Sequence, residues 1–194
     1  GFWTQELYSP SNLQLKEAWR GNDKWYASVV KKMALFPTKS GEIEVAPMTA
    51  VIGVREKGRR SFFFSSSKEY TIATNSLVVD VKALPKTNAG RSGSVGDWKI
   101  NGKIKSNEIK QDEALSYLIT ISGTGNIKTV DIQDIIFPRE LEVFDPEIKI
   151  KQNELTDKIS GTKTIEYILI PRYSGKIIIP KVELLYFDLT SNKW

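Results

Sequence analysis

The stretch FPTKSGEIEVAP, Phe36 to Pro47, is nearly restated as IPRYSGKIIIP, Ile170 to Pro180, and no other feature restricts the architecture of this chain as much. Setting Pro37 against Pro171 brings Tyr8-Ser9-Pro10 level with Phe144-Asp145-Pro146, and each triplet is followed by an alternating stretch, SNLQLK and EIKIKQ. A polar turn containing Gly21 or Gly161 comes next, then a long apolar strand, then Pro-x-x-Ser-Gly. Beyond the glycine, Ile43 and Val45 match Ile177 and Ile179. The period of about 135 residues far exceeds the roughly 20 to 50 of solenoid repeats, so the repeating unit is a whole domain.

Short apolar runs rich in Ile, Val, Phe and Tyr, separated by Gly, Pro, Asn and Ser, suit pleated and half-buried sheet surfaces, and the chain reads as all-β. Expected strands are NLQL, IEVAPM, TAVIGV, SFFFS and SLVVDVKAL, then WKING, SYLITIS, IKTVDI, TIEYILI, KIIIP and VELLYF. In DKWYASVVKKMALF, Tyr26, Val29, Val30, Met33 and Phe36 fall near helical spacing, with Asp23 placed as an N-cap. The repeat sets KMALF over EYILI, and this favours a strand.

The phrase itself is read as a hairpin. Pro37 and Pro171 close apolar strands, and Ser40-Gly41 and Ser174-Gly175 supply a turn position where φ is free to be positive. SGTGN, with Gly123, Gly125 and Asn126, is read as a β-turn or bulge between two strands. No Gly-x-x-x-x-Gly-Lys follows it, so a phosphate loop is rejected.

A length of 194 residues allows one large domain or two ordinary ones. The first copy has only seven residues before Tyr8, whereas the second has roughly fifty before Phe144, so the first is expected to lack its N-terminal half. The expected division is 1–85 for the C-terminal part of a first domain, 86–93 for a linker within PKTNAGRSG, and 94–194 for a second domain that lacks its last strand. The abrupt opening on Gly1-Phe2-Trp3 is expected of a piece cut from a longer protein.

Composition narrows the chemistry. With no cysteine there are no disulfides, thiolate nucleophiles or Cys-ligated metals, and with no histidine the commonest general base near neutral pH is missing. No Gly-x-Ser-x-Gly elbow is found, so no catalytic, cofactor-binding or metal-binding residue is assigned and the chain is not expected to be an enzyme. The net charge of +5 is scattered, and no nucleic-acid partner is expected. The acidic residues Asp131, Asp134, Glu140, Glu142, Asp145 and Glu147 match no calcium-loop spacing and read as a solvated surface. KGRRSFFF is the conspicuous surface candidate, with Arg59 and Arg60 in a turn beside Phe62 and Phe64, as candidate partner contacts. No stretch nears the roughly 20 apolar residues that cross a bilayer.

The series LFPTKSGEIEV, VKALP, Gly93-Ser94-Val95-Gly96, ISGTGNI, Leu141-Glu142-Val143-Phe144-Asp145-Pro146, YILIP with Ser174-Gly175, and Tyr186-Phe187-Asp188 resembles the BatD (oxygen tolerance, or aerotolerance) family of bacterial envelope proteins. Arg91 departs from it, standing where the family tends to have an aromatic. The resemblance implies tandem immunoglobulin-like β-sandwich domains in the periplasm or cell envelope, anchored in the inner membrane by a helix outside this segment. It also implies von Willebrand A-type and tetratricopeptide-repeat partners of the same system, and no cofactor. The expected role is a non-catalytic interaction or scaffold module; the alternative is a carbohydrate- or surface-ligand-binding sandwich of adhesin type, which exposed aromatics on one sheet face would favour.

Overall fold

In the computed structural model residues 1–55, 67–87, 94–153 and 158–194 are described, and every helix or strand among them is a strand. In chain order these are β1 (Phe2–Tyr8), β2 (Lys16–Arg20), β3 (Asp23–Ala27), β4 (Lys32–Pro37), β5 (Gly41–Val45), β6 (Thr49–Arg55) and β7 (Ser67–Ala73). There follow β8 (Leu77–Val81), β9 (Val95–Ile104), β10 (Leu115–Gly125), β11 (Leu141–Val143), β12 (Glu147–Asn153), β13 (Ser160–Pro171) and β14 (Phe187–Asp188). The all-β class is as the residue pattern predicts. The described residues gather into two compact units: Gly1–Thr4 with Leu35–Ala83, and Gln5–Ala34 with Leu84–Trp194.

In the first unit β5 pairs with β8 and β6 with β7, both antiparallel. Trp3 packs on Phe36 with ring centroids 5.1 Å apart, and Ile43 is buried. In the second unit one sheet runs β11-β13-β10-β9-β14, with β12 also alongside β13. Counted from β9, the sheet runs third, fifth, second, first, sixth, with the fourth strand, β12, also on β13 and β14 parallel to β9; the first, second, fifth and fourth strands are in the relative order of A, B, E and D in one sheet of an immunoglobulin-like sandwich. Alternation along β10 and β13 places Leu115, Tyr117, Ile119 and Ile121 beside Leu169, Tyr167, Ile165 and Lys163 in cross-strand register. Ile119, Ile121 and Leu169 are fully buried, as are Ile127 and Val130 from the following segment.

The repeat is visible in the pairing. β1 pairs with β4 and β2 with β3, while β11 and β12 both pair with β13. In each copy an edge strand is interrupted just before a proline, Pro10 or Pro146, which has no N–H to give to a ladder. DKWYASVVKKMALF forms strands as expected, but two of them, β3 and β4, because the partner strand changes where β1 gives way to β2.

Three expectations need correction. NLQL lies outside the strands; β2 starts one residue beyond it, at Lys16. IKTVDI, KIIIP and all of VELLYF except Phe187 form no ladder, although Ile127, Val130, Ile132, Ile179, Val182, Leu184 and Tyr186 pack on the core. Their apolar side chains are satisfied by the sheet beneath them without a strand beside them. Finally, neither copy of the phrase is a hairpin: β4 pairs with β1 and β5 pairs with β8, so the chain changes sheets at Pro37–Gly41. In the second copy both edges of β13 are already taken, by β10 and by β11 with β12, so residues beyond Gly175 do not fold back along it; they pack on the core and rejoin the sheet beside β9 as β14. SFFFS lies outside the described residues.

After β14 the chain reverses, and Asp188 N–H donates to Lys193 O at 2.8 Å. The Asp188 carboxylate accepts hydrogen bonds from the Ser191 hydroxyl and from the Thr190 N–H, and these hold its pKa below the ordinary carboxylate value. The folded state therefore binds this proton less readily than the unfolded chain. Its contribution is complete above the ordinary value of about 4 and is lost as pH falls through the lowered one. Thermal melts between pH 6 and pH 2 should show Asp188→Asn with a shallower acid decline than the parent chain.

Candidate functional site

At one end of the second unit the connection from β9 to β10 meets the corner that follows β13. Arg172, directly after Pro171, ties them together. Its Nη1 donates to Asp112 Oδ1 at 2.6 Å, and its Nε and Nη2 both donate to Glu142 Oε2, the former at 2.7 Å. Asp112 sits at φ 64°, and its N–H donates to Pro171 O at 2.9 Å, while Gln111 Nε2 donates to Arg172 O at 3.0 Å. The two carboxylates, Asp112 foremost, raise the guanidinium pKa further above its already high value.

The residue after the proline has the same backbone task in both copies. Arg172 N–H donates to Glu140 O, just before β11, and Thr38 N–H donates to Gly1 O, just before β1. The corner is thus clamped to the start of the edge strand each time. Only the second copy adds a charged side chain.

Below this clamp lies a groove of about 320 Å³, at the small end of the size range for ligand pockets. Ile104, Ile109, Leu115, Leu141, Pro171 and Ile179 supply its apolar wall, and Ser106, Asn107, Glu108, Gln111, Tyr173 and Ser174 its polar one. Such a site can seat a small apolar group with hydrogen-bonding atoms around it. It contains no nucleophile paired with a base, and among the described residues no cluster of three or more His, Cys, Asp or Glu is placed to hold a metal.

The residues singled out from the sequence fall in different places. Pro171, Ser174 and Gly175 line the groove, and Pro37, Ser40 and Gly41 form the matching corner of the first copy. Gly41 and Gly175 take φ of +97° and +138°, so a left-handed position is required there, with open space where a Cβ would stand. Asn126 starts a turn, accepting the N–H of Thr129 on its carbonyl and that of Lys128 on Oδ1. Gly123 and Gly125, expected in a β-turn or bulge, lie at the end of β10, where Trp98 covers them and the β9 backbone passes too close for a side chain. Arg59, Arg60, Phe62 and Phe64 lie outside the described residues. The acidic residues do not converge: Asp131 meets Lys163, Glu142 meets Arg172 and Glu147 meets Lys149.

Sequence reasoning missed Arg172, Asp112 and Gln111. The available signal was the first variable position of Pro-x-x-Ser-Gly, an arginine in a clamp that the first copy makes with threonine. Arg172→Lys should keep the fold and the backbone bond to Glu140, but a single ammonium cannot span both carboxylates. Hydrogen exchange at residues 110–114 should then accelerate, and raising the salt concentration should have the same effect on the parent chain.

Residues 102–194, just under half of the chain, match the family described as the BatD DUF11-like domain, in agreement with the resemblance carried by the motifs. No curated protein matches the chain, and no solved structure does.

Proposed function

We propose that the chain is a non-catalytic interaction module in the extracytoplasmic part of a membrane-anchored envelope protein of the bacterial aerotolerance system. The observation that carries this reading is the BatD DUF11-like domain at 102–194. The lack of histidine and cysteine supports it by removing the commonest catalytic groups. The module works through protein contacts in the periplasm, with von Willebrand A-type and tetratricopeptide-repeat proteins of the same system as partners and Arg59, Arg60, Phe62 and Phe64 as candidate contacts.

Immobilised chain should retain the extracytoplasmic part of such a von Willebrand A-type protein, and Arg59→Glu with Arg60→Glu should weaken retention. Absence of any retention by the parent chain would remove the reading.

One observation favours carbohydrate binding as a second reading. On the β2–β3 hairpin, Trp19 and Tyr26 are 68% and 59% exposed. The pairs Glu17↔Tyr26 and Trp19↔Lys24 place both rings on one face, beside a Lys24–Glu17 ion pair of 2.5 Å. Rings presented in this way can stack on sugar faces. Tryptophan fluorescence titrated with neutral oligosaccharides should change in the parent chain and not in Trp19→Ala; an unchanged parent signal removes this reading.

A further inference from the structure

We infer that the free edge of β12 is a docking site for an extended segment of a partner protein in which acidic residues alternate with apolar ones, added to the sheet as a further strand. The phase of the backbone shows which groups are open. Gly125 N–H donates to Ile159 O, so Gly161, Lys163 and Ile165 turn their backbone groups to β10 and the residues between them turn theirs to β12. The bond from Phe144 N–H to Ile168 O has the same phase. Glu147, Lys149, Lys151 and Asn153 stand opposite those intervening residues and bond to β13, which leaves the N–H and carbonyl of Ile148, Ile150 and Gln152 directed away from the sheet. Among the described residues no strand lies on that side, and no backbone group bonds to these positions. The strand is regular over its 7 residues, and Pro146 precedes it.

The inner side of the same edge is bare. Ile148 and Ile150 share a face with their cross-strand partners Ile165 and Lys163, and both partners are buried. Ile148 and Ile150 are nevertheless 52% and 41% exposed, so the segment that covers β13 stops short of β12. Only the far end is taken, where Gln5 Nε2 donates to Gln152 Oε1 at 3.2 Å. An added strand would satisfy the open backbone groups and lay apolar side chains against Ile148 and Ile150, the two components of recognition by strand addition.

Charge selects the occupant. On the outer face Lys149 and Lys151 stand along the edge; Lys149 pairs with Glu147 at 3.0 Å, and Lys151 has no carboxylate partner among the described residues. Opposite charges in directly facing positions favour pairing and like charges oppose it. Acids therefore belong opposite Lys149 and Lys151, and apolar residues opposite Ile148 and Ile150. A second copy of this chain does not meet that demand. Of the two-fold registers that overlap most of β12, centring on Ile150 sets Lys149 against Lys151 on both sides of the axis, and centring on Lys149 or Lys151 sets that lysine against itself. Lysines on an edge guard against self-association, and the same lysines admit an acidic strand.

Docking at this edge rests on the chain being an interaction module, but it is tested with a synthetic peptide, so the outcome is separate from whether a von Willebrand A-type protein is retained. A short peptide alternating valine with glutamate, titrated into the isotope-labelled chain, should slow amide exchange at Ile148, Ile150 and Gln152 far more than at Lys149 and Lys151, which already bond to β13. The same peptide with lysine in place of glutamate should not. Lys149→Glu with Lys151→Glu should raise the Kd for the glutamate peptide by about tenfold. That double variant should bind the lysine peptide instead, which separates an edge effect from a folding defect. Ile150→Pro removes an outward N–H without touching the ladder to β13, and it should also weaken binding. No binding of the glutamate peptide overturns the docking site, and so does binding that leaves these amides unprotected or equal binding of the lysine peptide by the parent chain. Protection that rises with chain concentration in the absence of peptide would make a second copy the occupant and overturn it as well.

Discussion

Replacing Gly123 by alanine should destabilise the second unit by about 3 kcal/mol, lowering its melting temperature by about 10 °C. In the β9–β10 ladder Gly123 lies opposite Trp98, and Gly125 opposite Gly96. A Cβ on Gly123 would fall within bonding range of the Asp97 carbonyl oxygen and 2.8 Å from Trp98 Cε3. The indole can shift, but the carbonyl oxygen belongs to the backbone of β9 and moves only if the ladder opens. Gly123→Ala combined with Trp98→Leu should therefore remain at least as unstable as Gly123→Ala alone. If the smaller side chain restored the parent melting temperature, the indole and not the backbone approach would be what demands glycine. Gly41→Ala is the contrast. Its Cβ meets nothing within 4 Å, so only the left-handed backbone at φ +97° is penalised, at about 1 kcal/mol. Circular dichroism melts of the four proteins decide the order.

That glycines would be needed between β10 and the next segment was legible in SGTGN, but the reason was not. A turn and a close approach call for the same residue, and only the register places Trp98 over Gly123 and Gly125. The repeat resolved the ambiguity in KMALF, where periodicity alone left helix and strand equally open; β4 holds the same place beside β1 as β13 holds beside β11. The same repeat misled at the phrase itself. A proline, a turn and a resumed alternation are common to a hairpin and to a chain that changes layers, and the choice depends on which strand edges are free. One edge of β13 is occupied by the strand just before it, β12, and the other by β10, much earlier in the chain, and that second pairing is information that a local pattern does not contain. The groove was legible only in part, since Ser174 and Gly175 were noted for turn geometry while Arg172, between them and the strand, carries the charged contacts.

Lys163→Ala should cost about 3 kcal/mol, and the comparison with Lys163→Met shows why. Alternation along β13 puts Lys163 on the inner face, opposite Ile121, where its side chain is 7% exposed. Its Nζ donates to Val130 O at 2.8 Å and to Asp131 Oδ1 at 3.2 Å. The methylene stem replaces an apolar side chain in the core, and the ammonium group holds the segment whose Ile127 and Val130 are fully buried. Methionine keeps most of the stem and loses the donor, so Lys163→Met should cost about 1 to 2 kcal/mol for the Val130 carbonyl left without it. Asp131 is 74% exposed, and water replaces its partner readily, so Asp131→Asn should change stability by less than about 1 kcal/mol. Urea unfolding of the three variants should rank them alanine, methionine, then Asp131→Asn. A methionine variant as stable as the parent would show that the apolar stem alone holds β13 to the 127–131 segment. A large loss in Asp131→Asn would show instead that the ion pair, and not the carbonyl, is the anchor.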